Sequence, residues 1–567
     1  MSCIVCFGPL RRSRFATSLA LLMLAAPAAR GQVIRGTVNA EGAGVPLRGA
    51  VVTLLDARGN PVDRRVLTDM DGSFAMRAPS AGTWIIEARA IGYSPRRTSG
   101  RPVAAGETVV EKLVLRQVAT RLATLRVEAK SACRRAGEFD AVTSEVWDDV
   151  WAALAAAQLA REQRLVRAEV FVYTREIDVA TGLVMDEDRG VASVLDESPF
   201  RTAPAAELTR LGFWQATLGG EVIFHGLDAA TIISPEFLVG HCFNLVRRDS
   251  AGQTLVGLSF RPLNERRADV QGLLWLDVDS RELRALEFTY TGLKLRGPAA
   301  GGRLGFTRLP NGVLIDDRWL LQHPFETKRA VGPQRTGIAA APDRAIRAGT
   351  TLRIGGGFVL ADSARVRQFA TLTGLVRQAS APVDAASVEL VGSGQRFVTD
   401  STGLFLIQDV LPGTYEARVM RPGPAERGGF VQHGQLTLAP GDMARITLDI
   451  PAPEAISAEL CPNIEPGHAP LFVVLREEHS GKSAANYRVE ARWTPPVDSL
   501  GAPIGKPGGV RALTDWRGEF VACDVPAGSS VSFRTTTGEA QWSLPLKIGA
   551  KLNVLEIAAD TSGTGRR

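Results

Sequence analysis

A short phrase that occurs three times constrains the fold more than any other feature of the sequence. Its shared letters are Thr-Asp, a glycine three residues after the aspartate, and a phenylalanine two residues after that glycine. The copies begin at Thr68, Thr399 and Thr514, and a second glycine follows at a matched distance in each: Gly82, Gly413 and Gly528. Matched spacing over three copies predicts one supersecondary unit that is repeated along the chain.

The phrase has the chemistry of a turn. An aspartate side chain bonds the backbone two residues on, and a glycine adopts positive φ without steric cost. In the first copy, Asp69 and Asp71 also have the spacing that begins a calcium loop. The position of Asp71 is Thr402 in the second copy and Arg517 in the third, and an arginine repels a cation. The phrase therefore predicts turns between strands and no metal site.

The first 31 residues are typical of a secretory signal peptide, with arginines, then an apolar stretch and then small residues. We expect an exported protein that is periplasmic, outer-membrane-associated or extracellular. No later apolar run reaches about 18 residues, so no transmembrane segment is predicted after cleavage. Residues 1–31 hold four arginines and no acid, which leaves 62 basic against 60 acidic side chains in the mature chain. This balance gives no electrostatic case for binding nucleic acid.

Four cysteines remain after removal of the predicted signal peptide. An even number in an exported chain predicts disulfides. We favour the pairs Cys133–Cys242 and Cys461–Cys523, because each pair falls within one predicted domain. Buried free thiols are the alternative.

The repeats and the turn-rich composition predict a mainly β protein with three immunoglobulin- or transthyretin-like sandwiches. The predicted sandwiches span residues 32–118, 366–452 and 453–560, and a polar tail covers 561–567. In the third sandwich, residues 471–475 are predicted as the second strand, with an insertion over 476–510. A middle α+β domain spans 119–365.

The first sandwich carries a family resemblance. Its residues include Gly36-x-Val38, Ala50-Val51-Val52-Thr53-Leu54, Thr68-Asp69-x-Asp71-Gly72-Ser73-Phe74, Pro79-x-x-Gly82-Thr83-Trp84 and Ile91-Gly92-Tyr93. This series resembles the carboxypeptidase regulatory-like domain, a transthyretin-like member of a carbohydrate-binding-like fold group. The resemblance implies an accessory module without catalytic activity, and it makes glycan or peptidoglycan a partner class.

The middle domain is predicted to combine one helix with a curved antiparallel sheet. The helix is expected over about 144–162, capped by Thr143 or Ser144, with one apolar face. The hairpins that follow resemble periplasmic lipoprotein-sorting-type half-barrels. That resemblance implies a concave face that carries an apolar ligand, unless the helix fills it.

The sequence gives little support for catalysis. His323 and Glu326 have the spacing of a zinc pair, and His433 lies downstream as at a metallocarboxypeptidase site. The pair ends a predicted hairpin, however, and His433 falls in a separate sandwich. His241 precedes Cys242, for which a disulfide is the better account. We predict no enzyme, cofactor or metal.

Three functions remain open for an exported protein of this kind. A glycan-binding protein requires exposed aromatic rings, for which Tyr93 and Trp516 are the candidates, whereas Trp84 and Tyr415 are expected in cores. An envelope scaffold that binds another protein requires open sheet faces or edges. A carrier of an apolar ligand requires a cavity between the predicted helix and the middle sheet.

Overall fold

The structure is a computed structural model that describes residues 32–118, 133–166, 168–192, 200, 202–217, 222–250, 253–293, 297–309, 312–330, 334–336, 346–360, 368–535 and 542–559. The predicted signal peptide and polar tail lie outside the described residues. Strands form most of the described secondary structure, which confirms the mainly β fold class.

The first sandwich consists of two sheets made from eight strands: β1 (Val33–Ala40), β2 (Val51–Leu55), β3 (Pro61–Leu67), β4 (Ser73–Arg77), β5 (Gly82–Arg89), β6 (Arg96–Arg97), β7 (Arg101–Val103) and β8 (Thr108–Leu115). One sheet has the order β4-β1-β8, with β1 and β8 parallel. The other has the order β3-β2-β5-β6, and β7 also pairs with β5. Alternate apolar side chains from both sheets fill the core between them.

The middle domain contains one long antiparallel sheet and its helices. Its elements are β9 (Arg134–Arg135), α1 (Ala141–Glu162), β10 (Val170–Asp178), β11 (Val184–Ala192), α2 (Ala205–Leu211), β12 (Trp214–Ala216), β13 (Val222–Phe224), α3 (Ala229–Ile232), α4 (Pro235–Gly240), β14 (His241–Ser250), β15 (Gln253–Pro262), β16 (Val270–Asp277), β17 (Leu283–Tyr290), β18 (Gly301–Arg308), β19 (Leu314–Ala330), β20 (Gln334–Thr336) and β21 (Ile346–Val359). Ten strands form the sheet in the order β11-β10-β21-β19-β18-β17-β16-β15-β14-β9.

Helix α1 lies between this sheet and the first sandwich. Its N-cap is Asp140, whose carboxylate accepts a hydrogen bond from the Thr143 amide at 2.7 Å. The predicted cap at Thr143 or Ser144 is therefore wrong, because the aspartate lies one residue before the first helical turn. The six alanines of α1 between residues 152 and 160 are buried, as are most of its large apolar side chains, and Val51 of the first sandwich belongs to the same core. The helix is thus covered on both sides rather than on one apolar face.

The second sandwich repeats the arrangement of the first. Its strands are β22 (Ala370–Gln378), β23 (Ala381–Pro382), β24 (Ser387–Leu390), β25 (Gln395–Val398), β26 (Leu404–Val410), β27 (Gly413–Arg421), β28 (Gly423–Pro424), β29 (Phe430–Leu438) and β30 (Met443–Ile450). The first and last long strands, β22 and β30, are again parallel, and β24, β25, β27 and β29 form the second sheet.

The third sandwich follows a short helix, α5 (Pro453–Leu460). Its strands are β31 (His468–Glu477), β32 (Arg488–Thr494), β33 (Gly508–Leu513), β34 (Glu519–Pro526), β35 (Ser530–Thr535), β36 (Leu546–Lys547) and β37 (Asn553–Ala559). The sheet that contains β34, β31 and β37 also takes β28 from the second sandwich at one edge and β20 from the middle region at the other. The second sandwich, the third sandwich and the middle region therefore contribute strands to one shared sheet.

The predicted role of residues 471–475 in the third sandwich is wrong. They lie in β31, which pairs parallel with β37 as β1 pairs with β8, so they belong to the first strand. The run is apolar throughout because one face of β31 packs in its own sandwich while Phe472 and Val474 pack against the second sandwich. A strand buried on both faces lacks the alternation that identified the first strand elsewhere.

The three turn phrases have the same geometry in all three sandwiches. Each threonine is buried, and its hydroxyl accepts one backbone amide and donates to one backbone carbonyl. Each aspartate accepts the amide of the residue four positions on, at 2.8–3.0 Å. The glycines have φ of 75° to 76°, and a Cβ there would lie 2.6–2.7 Å from a carbonyl oxygen of the first strand: Gly72, Gly403 and Gly518.

We predict that Gly403→Ala destabilises the second sandwich. An L-residue in the left-handed region costs about 1–2 kcal/mol, and the contact with the Val376 carbonyl adds to that cost. Urea unfolding of the mature chain measures the change. The control is Gly434→Ala in β29, where a Cβ has no atom within 4 Å; equal losses in both variants would contradict the prediction.

Candidate functional site

The junction of the first sandwich with the middle domain centres on a buried aspartate of α1. One oxygen of Asp149 accepts the Gly92 amide of the first sandwich at 2.7 Å. The other oxygen binds Arg281, in the turn between β16 and β17, at 2.6 Å. Asp149 is 1% exposed, and burial outweighs the attraction of Arg281 and raises the pKa of Asp149 to about 6. One carboxylate thus holds three elements together.

A buried arginine joins the middle sheet to the second sandwich. Arg175 on β10 binds Glu187 on β11 at 2.7 Å, and it donates to the Pro412 carbonyl at 2.6 Å and to the Tyr415 hydroxyl. The Tyr415 hydroxyl in turn donates to the Leu411 carbonyl at 2.7 Å. Burial raises the pKa of Tyr415, so this phenol remains a hydrogen-bond donor.

The junction of the second and third sandwiches is built around Arg418 on β27. Its guanidinium is completely buried and binds Glu389 of the second sandwich at 2.7 Å and Glu519 of the third at 2.6 Å. It also donates to the Arg517 carbonyl at 2.9 Å. Burial lowers the pKa of Arg418, but the two carboxylates raise it by more. The guanidinium therefore stays protonated. We call Arg418, Glu389 and Glu519 the junction triad.

Further ion pairs surround the junction triad. Arg476 on β31 binds Glu389 at 2.6 Å and Glu556 at 2.6 Å, and Arg396 reaches Glu556 from the second sandwich at 2.6 Å. Lys482 of the third sandwich extends the network to the edge strand β11 of the middle sheet, where it binds Asp186 at 3.1 Å and Asp188 at 2.5 Å. Every module therefore contacts its neighbour through charged side chains.

Two carboxylates of the third turn phrase have opposite titration behaviour. Burial works against ionisation of Glu519, but His433 at 2.9 Å and Arg418 lower its pKa to about 2. Burial and the neighbouring Glu519 raise the pKa of Asp515 to about 7, despite Arg517. The equivalent Asp400 is exposed, and hydrogen bonds from Thr402 and Leu404 lower its pKa. The same turn thus has a different chemistry where another sandwich covers it.

Sequence reasoning missed the junction triad and Arg175. A signal was present, because Arg418 lies between the apolar residues Ala417 and Val419, and Glu389 also has an apolar residue on either side. Charged residues in the centre of buried strands are rare unless they are paired. The partners of Arg418 lie 29 and 101 residues away, so no local pattern joins them.

The predicted ligand residues Tyr93 and Trp516 lie at different junctions. Tyr93 is half-buried, packs against the core of the first sandwich and lines a cleft of about 300 Å³ beside α1. Trp516 is half-buried in the third turn phrase, with the Arg517 guanidinium 5.6 Å from its ring centre. Trp84 and Tyr415 are buried in cores.

The tryptophan and tyrosine rings of the described residues offer no open platform for a sugar. All nine tryptophans and five tyrosines fall within the described residues, and none of them is exposed. Arginine guanidinium groups lie over the rings of several of them, at 4.3–5.6 Å from the ring centres: Trp151, Trp275, Trp516 and Trp542. Stacking of a pyranose on these faces requires displacement of the arginine.

The space between α1 and the middle sheet is small. A cavity of about 140 Å³ is lined by Ala157, Leu304 and Phe306 together with the ion pair Arg161–Asp316. Ligand pockets usually have volumes of about 300–1,000 Å³. The helix side chains and the sheet form one continuous core around this cavity, so the helix occupies the face that a carrier needs.

The histidines considered for catalysis have separate structural roles. His323 and Glu326 lie three residues apart on strand β19, which directs their side chains to opposite faces. His433 binds Glu519 instead. His241 is buried, and its ring nitrogens lie 2.9 Å from the Phe237 carbonyl and 3.1 Å from that of Val270. Within the described ranges, no three His, Cys, Asp or Glu side chains group as metal ligands.

Two disulfides lie within the described residues, and they join the cysteines that the sequence favoured. Cys133 bonds Cys242 at the start of β14, and Cys461 after α5 bonds Cys523 on β34. The first links the segment before α1 to the far edge of the middle sheet. The second fixes the linker helix to the third sandwich. Such bonds are typical of proteins from oxidising compartments.

We predict that Arg418→Met lowers the free energy of unfolding by about 3–5 kcal/mol, because Glu389 and Glu519 are then buried without a partner. Urea unfolding of the mature chain measures the loss. The control is Arg377→Met, which removes an exposed ion pair with Asp449 and should cost far less than the loss of Arg418, because solvent screens the pair. An equal cost for the two variants would show that the triad is not energetically coupled.

We predict that Asp515→Asn removes part of the pH dependence of stability. A raised pKa means that Asp515 contributes stability that is fully present below its ordinary value of 3.8 and is lost as pH rises through about 7. As the pH rises from 5 to 8, the thermal unfolding midpoint of the wild type should therefore fall by more than that of Asp515→Asn. Asp400→Asn, at the equivalent exposed position, should show no such trend; parallel curves for wild type and Asp515→Asn would refute the assignment.

Comparison with known proteins gives solved structures of low similarity. A type II cohesin–X–dockerin complex from Acetivibrio cellulolyticus is 18% identical over 15% of this chain and 57% of that chain, with a TM-score of 0.13. The shaft pilin of Lactobacillus rhamnosus GG is 12% identical over 35% of this chain and 99% of its own, with a TM-score of 0.13. The major pilin subunit of Bacillus cereus is 7% identical over 94% and 99%, with a TM-score of 0.14. At these TM-scores the chains do not superpose as whole folds.

No curated protein matches the chain. Among the described helices, none is both long and apolar enough to cross a membrane. A family model does match the first sandwich, from residue 33 to residue 116. Residues 33–116 are thus identified as a carboxypeptidase regulatory-like domain, as the turn phrase and its neighbouring strands predicted.

Proposed function

We propose that the mature protein is a non-catalytic scaffold of the cell envelope that holds three sandwiches in a fixed arrangement and presents their outer faces to partner proteins. The observation that carries this proposal is the burial of charged side chains at each junction. Asp149, Arg175 and Arg418 are each bonded to a second module, and none is more than 7% exposed.

Buried ion pairs fix orientation more than they add stability. The cost of removing two charges from water offsets most of their attraction, so such a pair contributes little net free energy. Any other orientation of the modules, however, leaves a charge buried without its partner, which costs several kcal/mol. Domains joined by ordinary polar interfaces move relative to each other by default. The junctions described here favour one arrangement instead.

The sandwiches present open faces with exposed apolar residues. On the second sandwich, Leu404 and Leu406 are 46% and 47% exposed on β26, and Met443 is 87% exposed on β30. On the first sandwich, Val110 is 71% exposed on the edge strand β8. Exposed apolar residues on open sheet faces and edges are positions at which a partner protein can bury apolar surface. This supports protein partners rather than glycans, for which the covered aromatic rings are unsuited.

The rigid arrangement predicts a narrow distance distribution between spin labels on two modules. Labels are attached to cysteines introduced at Val110 and Met443, and the distribution is measured by double electron–electron resonance. Arg175→Met should broaden the distribution, because Glu187 loses its partner at the junction. The control is Arg353→Met, which removes an exposed pair with Glu176 and should leave the distribution unchanged.

A broad distribution in the wild type would overturn the fixed arrangement. A separate experiment tests partner binding. A photo-crosslinking residue replaces Leu406 or Val110, and crosslinking is carried out in cells that export the protein. A scaffold gives discrete protein adducts at these faces. The absence of adducts at both positions would contradict the proposal even if the distance distribution is narrow.

A further inference from the structure

The second and third sandwiches carry the same row of charged residues on the same sheet. In the second sandwich the row crosses the neighbouring strands β25, β24 and β27: Arg396, Glu389 and Arg418. In the third sandwich the row crosses β33, β32 and β35, and we call it the third-sandwich row: Arg511, Glu490 and Arg534. The neighbours of each glutamate along its strand are buried in a sandwich core, so both rows face outward.

Both rows have the same position relative to the turn phrase. Arg396 and Arg511 each lie three residues before the threonine of the phrase, which is Thr399 or Thr514. Each glutamate lies three residues after the residue whose amide donates to that threonine hydroxyl. The two rows therefore occupy equivalent places in the repeated unit.

The row of the second sandwich is closed by two carboxylates from the third sandwich. Glu519 on β34 and Glu556 on β37 lie directly across from each other, with Val474 of β31 between them. Arg418 binds Glu519 at 2.6 Å, and Arg396 binds Glu556 at 2.6 Å. One sheet thus presents a pair of carboxylates to the two arginines of the sheet that it covers.

The third-sandwich row lacks such a pair. At the closed junction three arginines meet three carboxylates: Arg396, Arg418 and Arg476 with Glu389, Glu519 and Glu556. Around the third-sandwich row three arginines share the single carboxylate of Glu490: Arg534, Arg492 at 2.8 Å and Arg511 at 3.7 Å. Strands β32, β33, β35 and β36 contain no other acidic residue. The difference is two carboxylates, the number that the third sandwich supplies to the second.

The third-sandwich row is accessible to a partner. The side chain of Arg492 is 57% exposed and that of Arg511 is 79% exposed. A groove of about 570 Å³ is lined by these two arginines, by Glu490 and by the glycines Gly508 and Gly509 of β33. The arginines and the groove therefore lie on one open face.

We infer that the third-sandwich row binds another protein that presents two carboxylates on one β-sheet. The two carboxylates lie two strands apart, a separation of about 10 Å, with an apolar residue between them. Arginine binds carboxylates through paired hydrogen bonds, which give the interface orientation as well as attraction. The inference rests on the scaffold proposal, because it names one binding face and the chemistry of its partner.

A second copy of this chain does not supply the acidic pair. The positions that correspond to Glu519 and Glu556 hold neutral or basic residues in the other two sandwiches: Ser73 and Lys112 in the first, and Leu404 and Thr447 in the second. The pair of the third sandwich is already bound by the second sandwich of the same chain. The partner is therefore a different protein.

The test builds the missing acidic pair on the mature chain itself. Leu404→Glu combined with Thr447→Glu places two carboxylates on either side of Leu375, at exposed positions. This double variant should associate head to tail, because the third-sandwich row of one copy binds the acidic pair of the next. Sedimentation equilibrium measures the association constant, which added salt should lower. Further addition of Arg511→Glu should lower it at least about tenfold, since like charges then meet in the interface.

The matched control is Leu404→Lys combined with Thr447→Lys, which has the opposite charge at the same positions and should not associate. Equal association of the two double variants, or no association of the glutamate variant, would overturn the inference. Association of the wild type that Arg511→Glu abolishes would also overturn it, because a second copy would then occupy the row. All substituted side chains are exposed, so thermal unfolding should match the wild type and exclude misfolding.

Crosslinking in cells that export the protein then tests the natural partner. A photo-crosslinking residue replaces Thr494, which is exposed on β32 on the same face as Glu490. A protein adduct that Arg511→Glu abolishes is expected. No adduct, or an adduct that contains an anionic polymer or lipid and no protein, would overturn the inference. The scaffold proposal fails separately, because a broad spin-label distribution refutes the fixed arrangement whether or not the third-sandwich row binds carboxylates.

Discussion

The arrangement of the modules depends on the buried charge of Arg418. Its guanidinium has no contact with water, and its two carboxylate partners come from different sandwiches. An unpaired buried charge is costly, and the proposed fixed arrangement of the second and third sandwiches rests on that cost. The shared apolar core on either side of β31 has the same effect, since Phe472 and Val474 would otherwise be exposed. Arg175 and Asp149 apply the same principle at the other junctions.

The repeated turn phrase shows how one local structure acquires different properties from its surroundings. The threonine, the aspartate and the glycine have the same hydrogen bonds and the same backbone angles in all three sandwiches. In the first two copies the aspartate is exposed to water. In the third copy the second sandwich covers the turn, so Asp515 is buried beside Glu519 and its pKa rises to about 7. The three turns have the same backbone geometry. The pKa of the aspartate in each turn depends on whether another sandwich covers it.

Much of the fold could be predicted, because it rests on local chemistry. The glycines and aspartates of the turn phrase, the alternation of β1 and β22, and the alanine-rich α1 are local signals, and the family match over residues 33–116 agrees with them. The prediction failed for residues 471–475, where burial on both faces removed the alternation. It also placed the cap of α1 at Thr143 or Ser144 although Asp140 provides it. The first failure has its cause in packing against the second sandwich, outside the strand itself, whereas the Asp140 cap is a local signal that was assigned to the wrong residue.

The sequence by itself determined the turns, the strand-rich composition, the three related sandwiches and the favoured cysteine pairs. Each of these follows from the conformational preferences of single residues or from spacing along the chain. Only the tertiary structure decided which charges meet, that the helix occupies the sheet face that a ligand would need, and that aromatic rings are covered rather than open. These properties arise between residues far apart in the chain, and their free energies depend on burial, which exists only once the modules have packed.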